Sequence, residues 1–94
     1  MSLRDIIVFD FETGSRNPHK TQPTKLAAIA LDGRNFKMKG KFNSEIKPIL
    51  NDEKAIEMGL DPLEDEALRI TGKTRTQLHK APTIRSVWKK FVQF

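Results

Sequence analysis

Hydrophobic periodicity changes once along this chain, at Pro48, and that change limits which elements can stand on either side of it. Between Asp32-Gly33 and Pro48, Phe36, Met38, Gly40, Phe42 and Ile46 fall on even positions, while Lys37, Lys39, Lys41, Glu45 and Lys47 fall on odd ones. A period of 2 puts one set on a core and the other in water, so the segment reads as a strand. The run Lys25 to Leu31 is ambiguous between helix and strand by periodicity alone. Asp32-Gly33 is a tight-turn signal, so the run reads as the other arm of a hairpin.

Ahead of the hairpin, Arg4 to Phe11 contains Ile6-Ile7-Val8-Phe9, a run without polar alternation that reads as a central strand covered on both faces. Ser15 to Thr24, with Pro18 and Pro23, is a loop. After Pro48 the spacing becomes helical. Asn51 or Asp52 can cap a short turn ending near Gly59, and Asp61-Pro62 offers a cap and an N1 proline for Leu63 to Ile70, with Gly72 as the stop. Thr74 and Thr76 are alternative caps for a piece through Leu78. Thr83 caps the clearest helix, in which Ile84, Val87, Trp88 and Phe91 follow the i, i+3, i+4, i+7 rule. Phe36, Met38, Phe42, Trp88 and Phe91 stand at core spacing and are read as core. The fold class is α/β, with a sheet that starts antiparallel. Phe94 lies inside the last apolar stripe with no residue to stop the helix, so residues 1–94 are expected to be the N-terminal portion of one incomplete domain.

Composition removes several functions. With no cysteine there is no disulfide framework and no thiolate zinc site. No apolar run approaches the ~18 residues of a membrane span, and Ile6 to Phe9 is too short for a signal peptide. A cytoplasmic protein without membrane contact is the expectation. The 17 Lys+Arg against 12 Asp+Glu give +5, unevenly spread. Asn51 to Glu66 holds seven acids and one lysine, whereas Arg69 to Lys90 holds seven bases and no acid. A basic stretch suits a polyanionic partner, although a solvated lysine face has the same composition. His19 and His79 read as surface residues.

The chemistry is concentrated at the end of the first strand. Asp10 and Glu12 are i and i+2, so they share a face with Cα atoms roughly 6.5–7 Å apart. Two carboxylates at the rim of an apolar core repel one another. A hard divalent ion, Mg²⁺ or Mn²⁺, resolves the repulsion through oxygen ligands and can activate water for attack on phosphorus.

The string Asp10-Phe11-Glu12-Thr13-Gly14 after a buried strand resembles the first motif of the DnaQ-like (DEDD) 3′-to-5′ exonucleases, which have an RNase H-like fold. Pro23 to Lys47 is similar to that family's hairpin, Ile70-Thr71-Gly72-Lys73-Thr74 to its conserved turn, and Ala81 to Phe91 to the helix leading into its second motif. The resemblance covers most of the chain and about half of the family's usual domain. It implies that Asp10 and Glu12 are catalytic and are two of four acidic ligands for two Mg²⁺ or Mn²⁺ ions. It also implies that Thr13 and Gly14, with Thr71 and Gly72, lie near the 3′-terminal nucleotide. The implied partners are single-stranded DNA or RNA 3′ ends, and a polymerase or replication complex is a further partner it suggests. The family's other two acids and its His or Tyr base have no counterpart here, so residues 1–94 alone are expected to be inactive or nearly so. Two rival readings use the same residues: a non-catalytic basic nucleic-acid-binding module, and a haloacid-dehalogenase-like phosphatase, whose D-x-D-x-T motif Asp10 to Thr13 approaches.

Overall fold

A computed structural model describes residues 5–94; Met1 to Leu3 and the expected strand start at Arg4 lie outside the described residues. The strands are β1 (Asp5–Thr13), β2 (Pro23–Asp32) and β3 (Met38–Glu45), and the helices α1 (Asp52–Glu57), α2 (Asp65–Thr71), α3 (Arg75–His79) and α4 (Ile84–Val92). The sheet has the order β1-β2-β3 and is antiparallel throughout, as the hairpin signal implies. Among the described residues no helix is long and apolar enough to cross a membrane.

Register decides which residues meet α4. Phe9 stands opposite Ala28, and Ala28 opposite Phe42; Phe11 stands opposite Leu26. Strand alternation therefore gathers Phe9, Phe11, Leu26, Ala28 and Phe42 on one face. Leu26, Ile46 and Val87 form the buried core there, with Phe42 and Phe91 packed against it. The Phe91 ring lies 5.9 Å from Phe9 and 5.7 Å from Phe42, and Phe94 lies 5.9 Å from Phe42. Thr83 caps α4 as expected, its hydroxyl accepting the Ser86 N–H. A second cluster of Leu63, Leu68 and Leu78, with Leu50 against it, packs in the α2–α3 region.

Three expectations are corrected. Helix α2 begins at Asp65 with Glu64 as its N-cap, rather than after Asp61-Pro62. The backbone ahead of it is tied elsewhere: the Asp61 N–H donates to the Lys20 carbonyl at 2.9 Å, and the Glu64 N–H to the Gly14 carbonyl at 2.7 Å. The Asp61 carboxylate accepts the Ser15 hydroxyl, which occupies the group that would cap. Phe36 and Met38 are exposed rather than core. Phe36 has φ of 60° in the β2–β3 turn, and a register shift between Ala30 and Leu31 displaces Met38. In the same turn Arg34 binds Asp32 and holds its carboxyl below the usual range. Trp88 is also half exposed; its ring sits 5.5 Å from Phe91.

Among the described residues β1 pairs with β2 alone, and Ile6, Val8, Phe9 and Phe11 are 39%, 50%, 55% and 39% exposed.

Candidate active site

Pairing runs unbroken from Asp5 to Glu12, so Asp10 and Glu12 do point to one face, opposite Phe9 and Phe11. The register shifts between Glu12 and Thr13, where the strand turns into the loop. Asp10 is exposed, and its Oδ1 accepts the Phe11 N–H at 2.9 Å. It borders a shallow depression of about 230 Å³ with Val8, Ala27, Ile29 and Lys41.

Glu12 opens elsewhere. Together with Phe11, Thr13, Arg16, Ile70 and Thr71 it lines a cleft of about 370 Å³ between the end of β1 and α2. Thus Glu12, Thr13 and Thr71 come together, while Asp10, Gly14 and Gly72 do not line this cleft. The Thr71 hydroxyl donates to the Ala67 carbonyl at 2.9 Å and so bonds back on its own helix. Thr13 Oγ1 donates to the Ser15 carbonyl at 3.4 Å. Gly72, at φ 71°, is the left-handed cap that ends α2. A second, apolar cavity of about 310 Å³ lies across Phe11, walled by Leu26, Val87 and Trp88.

Gly14 is buried with both backbone groups in use. Its N–H donates to the Gln22 carbonyl at 3.0 Å and its carbonyl accepts the Glu64 N–H. A Cβ there would collide with Leu63 Cδ2. Gly14→Ala is therefore expected to cost about 1–3 kcal/mol, the usual range for overpacking, with Leu63 displaced towards α2. Chemical denaturation checks this; a neutral substitution would mean that Leu63 moves freely.

Two residues that sequence reasoning passed over stand beside Glu12. In the register Glu12 is opposite Lys25, and Lys25 opposite Glu45. Lys73 approaches from the α2–α3 turn, with Nζ 3.6 Å from Glu12 Oε2 and 3.8 Å from Glu45 Oε2. Both oxygens are buried, and among the described residues neither receives a hydrogen bond. The glycine stop and the resemblance of Ile70 to Thr74 to a family turn both put Lys73 in a turn; nothing in the local pattern pointed to its partners. His19 and His79 are exposed, as expected.

Residues 7–94 match the family model described as exonuclease, of the RNase T type. No curated protein matches. Among solved structures, cell-death related nuclease 4 is similar at 26% identity and a TM-score of 0.72, over 96% of this chain and 29% of that one. The nuclease domain of 3′hExo, a DEDDh family member bound to rAMP, is similar at 22% identity and a TM-score of 0.73, over 96% of this chain and 42% of that one. A 3′-exonuclease in 3′-end specific recognition of a histone mRNA stem-loop gives 21% identity and a TM-score of 0.73, over 96% and 38%. The chain thus spans less than half the length of each of these structures.

Proposed function

Because the chain belongs to the exonuclease family whose model spans residues 7–94, we propose that the protein is a metal-dependent 3′-to-5′ exonuclease acting on single-stranded DNA or RNA ends. The observation that supports this most is the Glu12 carboxylate. Its Oε2 is buried without a hydrogen-bond donor, on a residue that lines a cleft of small-ligand size. Lys73 Nζ, 3.6 Å away, is beyond hydrogen-bond reach, so the oxygen keeps its lone pairs for a hard ion such as Mg²⁺ or Mn²⁺. Asp10 and Glu12 fit such an ion in kind and furnish part of a ligand set; the described residues hold no group of three or more His, Asp or Glu that could complete one. When bound, a divalent ion stabilises charge on the phosphoryl oxygens and lowers the pKa of an attacking water.

The chain's own residues supply position. Thr13 and Thr71 wall the space beside Glu12 where a terminal nucleotide would lie. Arg16, 85% exposed at the cleft rim and 3.5 Å from Glu64 Oε2, offers the rest of its guanidinium to phosphate. Gly14 and Gly72 shape the backbone on either side. The bases after Arg69 attract the polyanion over a longer range.

The similar structures named with rAMP and with an mRNA stem-loop make RNA the first substrate to try, and DNA the second. The whole protein, rather than residues 1–94 alone, is expected to turn a 5′-labelled single strand with Mn²⁺ into a ladder shortening from the 3′ end, which chelation abolishes. Internal cuts, shortening from the 5′ end or activity in excess chelator would overturn the reading.

A further inference from the structure

Lys73 is held by two caps at once. Gly72 closes α2 in the left-handed region, the Lys73 N–H donates to the Leu68 carbonyl at 2.8 Å, and Thr74 opens α3 with a capping box to Gln77. A residue between two capped helix ends has little backbone freedom. Its side chain, only 12% exposed, reaches the end of the sheet and sets Nζ between the inner oxygens of Glu12 and Glu45. At 3.6 and 3.8 Å these contacts are longer than hydrogen bonds. The ammonium therefore acts as a point charge, close to oxygens that water does not reach.

We propose that Lys73 is a built-in counter-ion, seated beside Glu12 before any metal arrives and competing with a divalent cation for that carboxylate. The role rests on the reading of Glu12 as a metal ligand. A buried oxygen without a donor is costly, and the ammonium offsets that cost in the metal-free protein. With a divalent ion at the same oxygen the ammonium would be repelled, and Glu45 on β3, 3.8 Å away, would hold it as a second anchor. Lys73 is a positioning residue: it sets how firmly Glu12 gives up its charge, and it touches no substrate atom.

Mn²⁺ titration of the whole protein without substrate, followed by loss of the free-ion EPR signal, tests this. Lys73→Met is expected to tighten Mn²⁺ binding about tenfold, the low end of what partners outside a ligand shell are worth. Lys73→Arg, which keeps the charge, is expected to stay near wild type. Glu45→Gln is expected to weaken binding by a similar factor, because the ammonium then belongs to Glu12 alone; it carries the same test if Lys73→Met does not fold. A purely structural lysine would lower the melting temperature in both Lys73 variants and leave Mn²⁺ affinity unmoved, which overturns the proposal. If neither wild type nor Lys73→Met binds Mn²⁺, Glu12 is not a ligand and both readings fall. Binding by Lys73→Met alone supports the counter-ion role in its strongest form.

Discussion

Asp10→Asn and Glu12→Gln in the whole protein are each expected to reduce nucleotide release by about 10³-fold. Loss of an anionic ligand removes several kcal/mol of transition-state charge stabilisation, and each ~1.4 kcal/mol is tenfold in rate. The substitutions are nearly isosteric, and Asp10 is exposed, so the fold has little to lose at that position. Single-turnover assays with a 3′-labelled strand, run beside thermal melts, separate chemistry from stability. Activity within tenfold of wild type, with the melting temperature unchanged, would remove both residues from the catalytic centre.

The second large effect is on stability. Leu78 is fully buried and belongs with Leu63 and Leu68 to the cluster in the α2–α3 region. Truncation to Ala leaves a cavity in a small core and is expected to cost about 2–5 kcal/mol. Against a total of ~5–15 kcal/mol for an ordinary domain, that is a large share. The urea midpoint is expected to fall accordingly, and nuclease activity to fall with it at a temperature where wild type is intact. A loss under about 1 kcal/mol would mean that these leucines do not pack as one unit.

Much of this architecture can be read from residue patterns, for reasons that also explain the omissions. The hairpin was legible because alternation and Asp32-Gly33 agree, and α4 because Thr83 and its stripe agree. Asp10 and Glu12 were legible as a same-face pair because alternation in β1 is strictly local. Glu12, Glu45 and Lys73 meet through tertiary packing of segments roughly 30 residues apart, which no local period records. Asp61-Pro62 misled because its capping carboxylate was claimed by Ser15, a long-range bond that outcompeted a local preference. Met38 and Phe36 misled because a register shift and a left-handed residue interrupt the alternation that their spacing suggests.

Among the described residues, the strand that carries both acids pairs with a neighbour on one side only. Alternate amides of β1 face β2, and beyond that ladder the Phe11 N–H donates to Asp10 Oδ1, so the acid's own carboxylate ties the backbone where the acid must be placed. A chain laid along the open side would order the strand and the spacing from Asp10 to Glu12 in one thermodynamic event.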